Sequence, residues 1–275
     1  MTATGKLLRS PSALIGGALV TIVVLLIVAG PWFSPYAYDT IDFAAQWSAA
    51  PGGAAHHWFG TDSLGRDLFV RTLQGGRMSL LLGLAATVVS LLIGVAWGAA
   101  AGYYGGRVDE LMMRIVDVFY ALPFMFLVIL LTVFFGHHIV LIFVAVGAVN
   151  WLDMARIVRG QTLSLRGREF VQAARVAGRS SADIIWLHIV PNLLGLILIY
   201  ATLTIPHVIL TESFLSFLGL GVQEPAASWG VLVNDGAREM ESAPWSLIFP
   251  AAFLAVTLLG FNLLGDGLRD ALDPK

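Results

Sequence analysis

Cysteine is absent from this 275-residue chain, so it holds neither disulfides nor thiolate metal sites. Charge is scarce as well. Asp, Glu, Lys and Arg make up 12% of the residues, against about 25% in soluble domains. A water-soluble fold of this size lacks the polar residues to cover its surface, and lipid is the solvent that tolerates such a composition. Only two lysines occur, and neither stands in G-x-x-x-x-G-K-[ST]: Lys6 is followed by Leu7, and Lys275 is the last residue. If ATP drives anything here, another chain binds it. G-x-S-x-G and H-E-x-x-H are missing too, which removes the usual hydrolase and metalloprotease signatures.

What is present is apolar. Hydrophobic residues reach 57%, mean hydropathy is +0.81, and eight Trp, six Tyr and 29 Gly fit spanning helices with aromatic interfaces. About 20 apolar residues cross the ~30 Å hydrocarbon layer. Six segments predict an all-α polytopic bundle of about six transmembrane helices: Ala13–Phe33, Met78–Ala101, Met113–Phe135, Ile139–Met154, Asn192–Phe217 and Ser246–Leu264. The first is too long for a signal-peptide core and lacks a clean cleavage site, so it reads as a retained anchor.

Lys and Arg set the orientation. With an even number of spans, twelve fall on the side of the termini and four on the other. Both termini are therefore expected in the cytoplasm: residues 1–12 as a cytoplasmic segment, 13–275 as one membrane domain. External loops are expected at 34–77 and 219–245, with a short amphipathic helix near Asp67–Gln74. A cytoplasmic loop is expected at 156–191. The net charge of −2 says nothing by itself about nucleic acid, and no such partner is expected.

Within the cytoplasmic loop, Arg168 to Gly178 favours helix, with Gly178 as its stop. Phe170, Ala173, Ala174 and Ala177 form one apolar stripe. Such a helix packs on its own bundle, on lipid or in a partner's groove. In the spans, Gly94, Gly98 and Gly102 make a small-residue face for close helix packing. Glu212 and His207 are the notable ionisable groups of the fifth span, with Asp117 near the end of the third. Glu212 is expected to be buried and hydrogen-bonded, with pathway lining and a proton relay as alternatives. The pairs His56-His57 and His137-His138 read as solvated interfacial residues, so no metal site is expected. In Gly60–Asp67, Asp62 or Ser63 is expected to cap a turn and Asp67 to pair with an Arg.

Gln172-Ala-Ala-x-x-x-Gly178, followed by His188-Ile-Val-Pro191, resembles the E-A-A-x3-G-x9-I-x-L-P loop of ABC importer permeases. Gln172, His188 and Val190 depart from that pattern. Phe59-Gly-Thr-Asp-Ser-Leu-Gly-Arg-Asp67, Ser216-Phe-Leu-Gly-Leu-Gly221, Ser228-Trp-Gly230 and Gly265-Asp-Gly-Leu-Arg-Asp-Ala-Leu-Asp-Pro274 resemble the dipeptide, oligopeptide and nickel permease family. The resemblance runs over essentially the whole chain and is closest to the C-type permeases of oligopeptide systems. It implies a type I importer permease in the bacterial inner membrane, itself no enzyme. It also implies a second related permease, two cytoplasmic ATPases carrying ATP and Mg, an external peptide-binding protein and surrounding lipid. Glu169, Gln172, Ala173, Ala174 and Gly178 would form the ATPase-coupling helix. Bulky residues at Ala174 or Gly178 are expected to block its docking. Dipeptide, murein-peptide or nickel import is the alternative within the family, and a stand-alone ion-coupled carrier the alternative outside it.

Overall fold

A computed structural model describes residues 10–43, 49–52, 57–136 and 139–272, without the side chains of 139–145 and 148. Helix α1 runs Pro11–Ala29. The Ser10 hydroxyl accepts from the Ala13 N–H, proline opens the first turn, and a 3-10 turn at Gly30–Phe33 follows. Helix α2 runs Leu68–Tyr104. Asp67 caps it by accepting from the Val70 N–H at 2.8 Å. The expected separate helix near Asp67–Gln74 is instead the opening of α2, because nothing between Asp67 and Met78 breaks the helix. At 37 residues, α2 is longer than a bilayer core requires.

The third expected span is broken. Helix α3 covers Gly106–Ala121 and α4 covers Phe124–Phe135, with a 76° bend between them. Leu122 precedes Pro123 and is extended, as the proline ring requires. Helix α5 runs Ile139–Leu165, beyond the expected end at Met154. The short helix α6, Glu169–Val176, follows. Helix α7 is one run, Ser181–Phe217, with a π-helical stretch at Ile184–Ile189. The expected loop at 156–191 is therefore mostly helix, with only short connections on either side of α6. Helix α8 is Trp229–Arg238 and α9 is Trp245–Leu272.

Among the described residues, four helices are long and apolar enough to cross a membrane: α1, α2, α7 and α9. The bent α3–α4 pair makes five if it counts as one span. Helix α5 is long enough as well, with Asp153, Arg156 and Arg159 confined to its second half.

Small residues set the packing. A Cβ on Gly94 would stand 2.6 Å from the Met154 Cβ, and one on Gly102 would stand 2.7 Å from the Arg159 carbonyl oxygen. Between them, Gly98 lies against the Ala155 carbonyl oxygen. The glycine face of α2 thus rests directly on the backbone of α5. Gly16 does the same for α1 against the Gly260–Leu264 stretch of α9. Trp229, fully buried at the start of α8, donates its indole N–H to the Thr72 carbonyl at 2.9 Å.

The two loops expected outside are joined by charge. Arg66 donates to Asp62 at 2.7 Å and to Glu224 at 2.8 Å. The fully buried Arg71 guanidinium lies 3.2 Å from Asp62. As expected, Asp62 also accepts the Leu64 and Arg66 N–H groups. The expected pairing of Asp67 with an Arg does not form, because Asp62 holds both. Asp67 bonds His57 at 2.7 Å instead. His57 is not solvated: it is 2% exposed, lies between Asp67 and Asp42, and stacks on Tyr36. Its partners are distant in sequence, so its neighbours in the chain gave no sign of them. His56, His137 and His138 lie outside the described residues.

The hydrogen bond from Arg66 holds the Glu224 carboxyl below its ordinary 4.5, outweighing burial, which pushes it up. A depressed carboxyl stabilises the folded joint above its ordinary value and stops doing so as pH falls through its lowered value. Asp235 of α8 has the opposite sign. Burial raises it from 3.8, and Arg71 pulls it back only in part, so it favours the fold most when protonated. Protection of the amides across 219–228, taken relative to their intrinsic exchange rate at each pH, is expected to fall as pH drops below 4.5, and Glu224→Gln to abolish that dependence. An unchanged pH profile in the variant would exclude the Arg66–Glu224 joint as its source.

Candidate functional site

Helix α6 is eight residues and about two turns long. Glu169 lies in its first turn and Arg175 in its last, each favourable to the helix dipole. Its end is a Schellman closure. Gly178 donates to the Arg175 carbonyl and Arg179 to the Ala174 carbonyl, both at 3.1 Å. Gly178 has φ +77°, and a Cβ there would meet nothing within 4 Å. The glycine serves the left-handed turn rather than close approach to a neighbour. Gln172 donates from Nε2 to the Gly167 carbonyl at 3.0 Å, tying α6 to the exit of α5. An ionised glutamate at this position would have no proton to give that carbonyl.

The inward face of α6 is Val171, fully buried, and Ala174, 8% exposed. They belong to one apolar cluster with Tyr103 of α2, Met154 and Val158 of α5, and Ile184 and Ile185 of the π-helical stretch, the element α6 meets most closely. Phe170, Ala173, Val176 and Ala177 face outward, Val176 at 90% exposure. This corrects the expected stripe: Ala174 belongs to the seat, and Val171, which the stripe left out, anchors it. The outer rim carries exposed Glu169, Arg168 and Arg179, while Arg175 lies over the Tyr103 ring at 5.5 Å.

Glu212 is fully buried on α7. It accepts from Ser216 at 2.6 Å and from Ser79 of α2 at 3.3 Å. Ser79 in turn accepts the Trp229 N–H at 3.2 Å, and Ser216 lies 3.4 Å from Ser228, the cap of α8. Glu212 thus ties α2, α7 and α8 together. His207 is exposed, and the structure does not bring it to Glu212. Among the described residues, no group of three or more His, Cys, Asp or Glu is arranged to hold a metal.

The sequence reading missed a set of ion pairs between α3 and α5. Arg159 binds both oxygens of Asp109, and Arg156 binds Asp117 at 2.8 Å. Tyr120 donates to Asp153, and Arg156 lies 4.0 Å over the Tyr120 ring.

Among the described residues, the fold is a bundle of long apolar helices with the short α6 seated against the π-helical stretch of α7. The chain belongs to the family of binding-protein-dependent transport system inner membrane components, whose model matches residues 93–275. A second model, the N-terminal TM domain of oligopeptide transport permease C, matches residues 3–51. The chain is 54% identical to the oligopeptide transport system permease protein OppC of Haemophilus influenzae, over 98% of this chain and 86% of that one. It is 54% identical to OppC of Escherichia coli, over 98% and 89%. The fold matches a subunit in an inward-facing structure of the MetNI methionine ABC transporter, with a TM-score of 0.60 and 16% identity over 74% of this chain and 97% of that one.

Proposed function

We propose that this chain is the pore-forming permease subunit of an ATP-driven importer of oligopeptides in the bacterial inner membrane. The observation that carries the reading is α6. Val171 and Ala174 fix it to the bundle, while Phe170, Ala173 and Val176 remain exposed at the end expected in the cytoplasm. The names of the relatives support oligopeptides as cargo. In this reading the chain crosses the membrane six times with both termini in the cytoplasm, and surrounding lipid covers its apolar faces. A second, related permease completes the path. Two cytoplasmic ATPases hold ATP and Mg, and this chain binds no cofactor and catalyses nothing. An external binding protein delivers the peptide.

The seat gives the mechanism. Val171 and Ala174 are continuous with the core around α5 and the π-helical stretch. A push on the outer face of α6 therefore moves α5 and α7 together rather than bending a loop. Closure of the ATPases then rocks the bundle as a body. In proteoliposomes, ATP-dependent uptake of a labelled oligopeptide is expected only with both permeases, both ATPases and the binding protein. Uptake by this chain alone would refute the reading.

A further inference from the structure

Charged groups at membrane depth persist only where water or protein meets them. Apart from the buried Glu212, a set of them gathers on the α3–α5 face. Arg156 lies seventeen residues, about 26 Å, along α5 from Ile139, near the cytoplasmic end of a ~30 Å layer. Its side chain is 44% exposed, and its guanidinium is shared between Asp117 and the Tyr120 ring. Beside it, the chain breaks at Leu122-Pro123, where no side chain caps the start of α4 and both residues are exposed. Broken helices are tolerated at this depth only against protein or a watery cavity. An open depression lies between α3 and α5, lined by Asp109, Glu110, Arg114, Asp117, Arg156 and Arg159, and Arg156 links it to Tyr120 and through that ring to Asp153.

We propose that this face lines the cytoplasmic end of the translocation path. Arg156 meets the terminal carboxylate of the passing peptide, and Asp117 and Asp153 meet its ammonium. The inference rests on the permease reading. The chemistry is that of a zwitterion. The two carboxylates and the guanidinium offer a pole for each end, and the Tyr120 ring offers a surface between them. The half-exposed Arg156–Asp117 pair is weakly held, so a peptide can replace either partner in turn.

The test uses the assembled importer in proteoliposomes. Uptake of a peptide acid is compared with that of its C-terminal amide, with the same binding protein throughout. Arg156→Gln is expected to reduce the preference for the acid about five-fold, because a charge-assisted bond is lost only for the acid. An unchanged ratio overturns the proposal. The lack of native cysteine permits a second measurement. A thiol reagent on Tyr120→Cys is expected to block uptake and to react more slowly when transportable peptide is present. Ile22→Cys on α1 should show neither effect. Equal reaction at Tyr120→Cys with and without peptide sinks the path assignment. ATP-driven uptake by the unlabelled complex would leave the permease reading standing in that case, and its absence would refute the permease reading instead.

Discussion

Gly98→Leu is expected to destabilise the bundle sharply. A Cβ at this position runs into the Ala155 carbonyl oxygen and comes within 2.9 Å of the Arg159 amide nitrogen. Both are backbone atoms inside a helix, so neither can swing aside as a side-chain tip would. Relief requires α2 and α5 to separate, which also opens the contacts at Gly94 and Gly102. Overpacking a close-packed core costs about 1–3 kcal/mol, and the figure belongs at or above the upper end here because the obstruction is backbone. Tryptophan fluorescence melting in detergent measures it. Gly160→Ala supplies the contrast, since its Cβ would meet nothing within 4 Å. Removing a helical glycine there is expected to stabilise by up to about 1 kcal/mol. If Gly98→Leu melts with the parent, the α2–α5 contact is misdescribed.

Ala173→Trp is expected to abolish ATP-driven uptake while leaving the melting temperature unchanged. Its neighbour Ala174→Trp is expected to destabilise the protein itself. The two alanines differ only in the face they occupy. Ala173 is exposed, so an indole there projects into the space a partner would fill. Ala174 is 8% exposed in the core with Val171 and Ile184, so an indole there lifts α6 off its seat, at about 1–3 kcal/mol. Uptake assays and melting curves on the two variants separate the faces. Normal uptake by Ala173→Trp would contradict docking through this surface.

The presence of apolar helices and the tight α2–α5 contact were legible in the sequence, because glycine at every fourth position is a local pattern. The burial of Glu212 was legible too, since an isolated carboxylate in an apolar run must find donors. The bend at Leu122-Pro123 was not. Apolar residues continue on both sides, so hydropathy reads through it, and only the restriction that Pro123 places on Leu122 marks the break. The inward face of α6 was hidden for another reason. Phe170, Val171, Ala173, Ala174 and Val176 surround this eight-residue helix, so two apolar faces compete and only packing selects one. The ion pairs from α3 to α5 join residues 39 and 50 positions apart, beyond the reach of local pattern.

Cysteine cross-linking decides the matter most directly, because the native chain contributes no thiol of its own. In the complete importer, Ala173→Cys is predicted to cross-link to a cytoplasmic ATPase subunit, and Val171→Cys, facing the bundle, is predicted not to. Cross-linking from Val171→Cys but not Ala173→Cys, or from neither, would contradict the idea that the outer face of α6 receives the force of ATP.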